Sequence, residues 1–133
     1  MTGSRYALAP LALALAAASL MVTAEAGAAP RSNELLMSAN YRCDTDSGAW
    51  LVTYVIENPT TRPARLREQS ASPTSPRVPA LVPGREGTVN GQVTAEQEVP
   101  TGYQRAHLAV IASWGDGLNV LRSAAVRFTG ECR

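Results

Sequence analysis

The chain contains no lysine: its twelve basic residues are all arginine, set against eleven acidic ones, for a net charge of +1 over 133 residues. That balance offers no surplus of positive field and argues against a nucleic-acid binder or an anionic-membrane binder. Histidine occurs once, at His107, and cysteine twice, at Cys43 and Cys132. So few imidazole and thiolate groups leave little from which to build a transition-metal site. They also leave few bases that titrate near neutrality. Aromatic residues make up 5% of the chain, and Phe128 is the only phenylalanine. No cofactor, no metal and no catalytic residue is predicted.

Long apolar runs are missing too, with one exception at the start. Met1–Arg5 carries one positive charge, and seventeen residues from Tyr6 to Val22 are rich in Ala and Leu. Ala24-Glu25-Ala26 and Ala26-Gly27-Ala28 then both satisfy the small-x-small cleavage rule. Residues 1–28 are therefore predicted to be a signal peptide cut after Ala28, with Ala26 as the alternative. An uncleaved anchor is the competing reading, because seventeen apolar residues approach a spanning length. The weak apolarity of alanine and the interruption at Pro10 argue against it. No cysteine lies just after the run, and Glu131-Cys132-Arg133 is not an apolar tail. The expectation is an exported protein, extracellular or loosely associated with the cell wall, with no stable membrane insertion after cleavage. Residues 29–133, about 105 of them, are one domain's worth of chain. Removing Arg5 and Glu25 leaves the net charge at +1.

Export would place both cysteines in an oxidising compartment, where a pair in a small domain is normally bridged. A Cys43–Cys132 disulfide would close a loop of about 90 residues and restrict the unfolded chain by roughly 4–5 kcal/mol.

Within residues 29–133 the dominant periodicity is two. Met37, Ala39, Tyr41 and Cys43 share one parity and predict a first strand over 35–43. Trp50, Val52, Tyr54 and Ile56 alternate with Leu51, Thr53, Val55 and Glu57, the clearest strand in the chain, ended by Asn58-Pro59. Five prolines between Pro63 and Pro83 permit only short edge strands, over 63–67 and 77–81. Gln69–Pro76 reads as a Ser/Thr/Pro loop, the most mobile part. Val89, Gly91, Val93, Ala95 and Val99 keep one parity, which predicts a long strand with a bulge or close backbone approach at Gly91. A hairpin at Asn90-Gly91 is the alternative. Gln104–Trp114 alternates again, Gly115-Asp116-Gly117 is a tight connection, and a last strand over 118–129 carries Ala124, Val126, Phe128 and Cys132 in phase. About seven strands with no helical period predict an all-β chain: one immunoglobulin-like antiparallel sandwich whose first and last strands are joined by the disulfide.

Several short stretches also carry a resemblance: Cys43-Asp44, Gly48-Ala49-Trp50-Leu51-Val52-Thr53-Tyr54, Glu57-Asn58, Glu98-Val99-Pro100, Ala112-Ser113-Trp114-Gly115-Asp116-Gly117 and Gly130-x-Cys132. Together they resemble the Ig-like domains of actinobacterial secreted and sortase-anchored surface proteins. The likeness spans nearly all of residues 29–133 and implies a structural module rather than an activity. Anchored members carry an LPxTG-like signal and an apolar tail, which are lacking here, so release or loose wall association is expected. Nothing matches the thioester or adhesin modules of such proteins.

Candidate sites are few. Asp44-x-Asp46-x-Gly48 begins like a calcium loop, but the twelfth position, where a bidentate Glu is needed, is Val55; turn chemistry is the simpler reading. His107, Asp116 and Ser113 have the composition of a hydrolytic triad without a nucleophile motif. Arg62, Arg65 and Arg67, joined by Arg77 and Arg85, suit an anionic partner or, more simply, a charged edge that resists pairing. Tyr103 and Trp114, with Tyr41, are the aromatics left over for an outer face; Tyr103 after Pro100-Thr101-Gly102 also fits a tyrosine corner. The expected function is non-catalytic contact with an extracellular protein or envelope glycan, through the loops 44–49, 69–76 and 115–117. The alternatives are a carbohydrate-binding module using Trp114 and a protease inhibitor presenting residues 69–80.

Overall fold

A computed structural model describes residues Glu34–Arg133, all of which belong to one unit. The predicted signal peptide over 1–28 and its predicted cleavage sites lie outside the described residues. Seven strands follow in order: β1 (Leu36–Asp44), β2 (Ala49–Asn58), β3 (Ala64–Ser72), β4 (Leu81–Val82), β5 (Gly91–Pro100), β6 (Arg105–Ser113) and β7 (Asn119–Arg127). They pair antiparallel into a three-stranded sheet, β1-β2-β5, and a four-stranded sheet, β4-β3-β6-β7. The chain is thus an immunoglobulin-like sandwich in which the short β4 pairs with β3, on the sheet opposite β5.

Alternation in β2 explains the core. Val52, Tyr54 and Ile56 have no solvent exposure, and Trp50 very little. Each such side chain stabilises the fold by about 1.5–3 kcal/mol relative to an exposed one, before entropy is counted. Across from them stand Leu66 of β3 and Ala106, Leu108, Val110 and Ala112 of β6, with Phe128 just beyond β7. β1 contributes the half-buried Met37, Ala39, Tyr41 and Cys43 at the margin.

The disulfide forms as expected: Cys43 and Cys132 are bridged with their Cα atoms 5.3 Å apart, 89 positions apart in sequence. It joins the end of β1 to the segment after β7. At the opposite end of β1, the Arg122 guanidinium donates from Nε to the Leu35 carbonyl at 3.0 Å. These contacts tie β1, the edge strand of its sheet, to β7 and the segment after it at both ends.

Three expectations need correction. The segment 63–67 is not a short edge strand: β3 runs nine residues to Ser72 and lies between β4 and β6. Its prolines fall outside it, at Pro63 and Pro73, so none removes a ladder hydrogen bond. Residues 69–72 are therefore strand rather than loop, with a bulge between Glu68 and Ser70, and 77–81 reduces to β4 and an isolated bridge from Arg77 to Glu96. Residues 73–76 follow a cis Ser72-Pro73 peptide and are tied down, as described below. Finally, Val89 leaves the predicted parity: it is 70% exposed and bridges Glu86 across a turn at Gly87-Thr88.

Gly91 neither bulges within a strand nor turns a hairpin. It begins β5 where the backbone passes Pro83, and a Cβ there would sit 1.8 Å from the Pro83 carbonyl oxygen. The predicted close approach is real, and only glycine permits it.

Candidate functional site

Two buried polar hubs hold the framework on which any surface site stands. Gln97, on the core face of β5, is almost wholly buried. Its Oε1 accepts the Tyr54 hydroxyl at 2.6 Å, and its Nε2 donates to the carbonyls of Ser72 at 3.1 Å and Thr74 at 2.6 Å. One side chain thereby links β2, β5 and the segment after β3. Thr74 adds a bond from its hydroxyl to the Glu98 carbonyl. With the Arg77–Glu96 bridge, residues 73–78 cover the free edge of β5. Burial pushes the Tyr54 hydroxyl up to about 12.

Asn58 is the second hub, fully buried at the end of β2. Its Nδ2 donates to the Arg62 and Pro83 carbonyls, and its Oδ1 accepts from the Thr60 backbone N–H and hydroxyl. Thr60 Oγ1 in turn accepts the Trp114 indole N–H at 2.9 Å. Neither hub is legible in the sequence, where a polar residue at a core parity looks like a break in pattern.

Trp114 is accordingly buried, as a cap on the core rather than part of an outer face. Tyr41 packs edge-on against Trp50 and Phe128, which stack on each other at 4.9 Å, and its hydroxyl meets Thr129. Only Tyr103, 52% exposed, remains open among these three. It lines a shallow groove of about 460 Å³ with Trp50, Phe128 and Cys132. Its hydroxyl makes no hydrogen bond among the described residues, so the tyrosine-corner reading is not supported. No row of exposed aromatics exists among the described residues.

The remaining constellations separate. Asp44 accepts from the Ser47 hydroxyl and the Asp46 N–H, which hold its carboxyl below the usual range, and the Gly48 N–H donates to its carbonyl. This is a closed turn in which Gly48 takes φ of 68°. His107 and Ser113 stand near opposite ends of β6, and the ring of His107 faces Ser70 at 3.5 Å. Asp116 pairs instead with Arg62, at 3.4 Å. The three form no triad.

The arginines do converge, in a pattern that extends beyond the predicted cluster. Arg62 stays on its loop with Asp116, while Arg65 and Arg67 point outward from β3 beside Ile111, Ser113 and Asn119. The strand register brings two more to the same face: Arg105 of β6 lies directly opposite Arg127 of β7. The strands of this sheet hold one acidic residue, Glu68, exposed at the β3 bulge, where it accepts from the Ser75 hydroxyl. Across the sandwich, the outer face of β1-β2-β5 carries Asp44, Glu57, Glu96 and Glu98 against Arg42 alone. A net charge of +1 conceals a molecule with one basic and one acidic face. Elsewhere, Arg85 Nε is buried without a hydrogen-bond partner among the described residues. No family model, curated protein or solved structure matches the chain.

Proposed function

We propose that the chain is an exported, non-catalytic contact module that works at or outside the cell envelope and meets its partner through the outer face of β4-β3-β6-β7. The observation that carries this reading is the segregation of charge. Arg65, Arg67, Arg105 and Arg127 share that face, the sheet's strands hold a single carboxylate, Glu68 at the β3 bulge, and none of the four arginines pairs with a carboxylate among the described residues. Like charges placed directly opposite on neighbouring strands cost stability, and a partner of opposite sign recovers it. Support for export comes from the leader-like start of the sequence and from the disulfide, which persists in oxidising compartments.

The two alternatives find no support. A sugar-stacking surface needs exposed aromatics, and Trp114 is buried. An inhibitory loop needs to project, whereas residues 73–78 lie along β5.

Sedimentation with isolated cell-envelope material tests the reading. The disulfide-bonded protein is expected to deplete from solution, and a variant with all four arginines changed to Glu is expected to remain in it. Glu96→Gln with Glu98→Gln is expected to behave as wild type. Equal depletion of both variants would overturn the assignment of the face.

A further inference from the structure

The strongest single feature of the arginine face is at its far end. Arg105 and Arg127, opposed across the β6–β7 ladder, wall a concavity of about 470 Å³ together with Ser72, His107 and Ala125. Ser72 faces His107 across the β3–β6 ladder, so hydrogen-bonding groups from three adjacent strands meet around one hollow. No acidic side chain lines it. One guanidinium already engages both oxygens of a carboxylate in a bidentate pair, leaving about two acceptor sites for other donors. Two guanidiniums with a hydroxyl and an imidazole alongside offer more donors than a carboxylate uses, and they match the three or four acceptor oxygens of a tetrahedral anion.

The second pair, Arg65 and Arg67, lies on the same face toward the other end of the sheet. Arg67 sits at the level of Ile111, six residues along β6 from Arg105, which is roughly 20 Å at a strand's rise per residue. Between the two pairs the register places Ala109, Ile111 and the exposed Leu121 on this face, with one exposed carboxylate, Glu68 of β3, beside Arg67. A single small anion reaches one pair only, whereas a chain of anionic groups laid along β6 reaches both.

We propose that the hollow between Arg105 and Arg127 binds a phosphate group, and that its source is a linear phosphate-bearing polymer running along β6 to Arg67 and Arg65. This rests on the arginine face being the contact surface and adds the chemistry of the partner. Engaging both ends makes the second contact intramolecular, so a long chain binds far more tightly than one phosphate.

Calorimetric titration of the disulfide-bonded protein at low salt tests this with three probes: inorganic phosphate, long-chain inorganic polyphosphate, and polygalacturonate as a carboxylate polymer. Inorganic phosphate is expected to bind saturably at one site and to lose about tenfold or more in R105Q/R127Q, where two charge-assisted partners are removed. Polyphosphate is expected to bind roughly 100-fold more tightly than phosphate. R65Q/R67Q is expected to abolish that gain while leaving phosphate binding intact. Relief of like-charge opposition is expected to leave the melting temperature of R105Q/R127Q at or above the wild-type value, which separates lost binding from lost folding.

Absence of phosphate binding, or its persistence in R105Q/R127Q, overturns the phosphate site. If either polymer still binds and is lost only when all four arginines are replaced, the basic contact face stands without it. Polygalacturonate binding as tightly as polyphosphate overturns the preference for a tetrahedral anion, and equal affinity for phosphate and polyphosphate overturns the polymer.

Discussion

Replacing Gln97 with Leu should cost far more than its single, sequence-inconspicuous position suggests. The change keeps approximate volume but removes three hydrogen bonds, those with the Tyr54 hydroxyl and the Ser72 and Thr74 carbonyls. Tyr54 has no exposure, so its hydroxyl finds no water and bears a penalty of about 1–3 kcal/mol. Ser72 and Thr74 lie nearer solvent, and each lost bond there costs about 0.5–1 kcal/mol. The gain from burying an apolar side chain offsets part, leaving about 2–4 kcal/mol, a large share of a small domain's stability. Tyr54→Phe orphans only the Gln97 carbonyl oxygen and should cost about 1–2 kcal/mol. In the double variant neither group faces an empty partner, so its cost should fall short of the sum by about 1–2 kcal/mol. Equilibrium unfolding in urea, with the disulfide intact, measures all four corners of the cycle. If Gln97→Leu lies within about 0.5 kcal/mol of wild type, or the cycle is additive, the inter-sheet hub is not the restraint described.

Three further outcomes follow from the same structure. Reducing the Cys43–Cys132 bridge should lower stability by about 4–5 kcal/mol, read as a shift of the denaturant midpoint with and without reductant. Gly91→Ala drives a methyl group into the Pro83 carbonyl. The backbone cannot yield cheaply on both sides, so a loss above about 3 kcal/mol is expected by thermal melting, against at most about 0.5 kcal/mol for the exposed Val89→Thr. Tyr54 holds its proton more tightly folded than unfolded, since burial raises it from 10.0 to about 12. Its contribution is therefore complete below pH 10 and lost as pH rises through 12, and Tyr54→Phe should flatten that alkaline decline in a pH series of denaturant melts.

What the residues disclose in order along the chain is the part of the fold governed by local alternation. β2 and β6 are legible because every second side chain is apolar, and the cysteine pairing is legible because only two cysteines exist. β3 is hidden by prolines that prove to flank it, and by a polar second half that breaks the alternation. The departure of Val89 is invisible because a two-residue turn flips its parity without changing composition. The arginine face is the hardest to foresee. Arg65 and Arg67 belong to one short stretch, but Arg105 and Arg127 lie far away, and register alone sets them side by side. A summed charge of +1 carries no trace of which sheet holds which sign.

The position of the disulfide has a mechanical consequence. A pull applied between residue 34 and residue 133 travels along β1 to Cys43, crosses the sulfur link to Cys132, and leaves through the last residue. β1 is already an extended strand, near ~3.3 Å per residue, so it lengthens little under load. The 88 residues enclosed between the two cysteines carry none of that tension. β2 to β7 can keep their packing, and the arginine face its shape, while the chain around them serves as a strut.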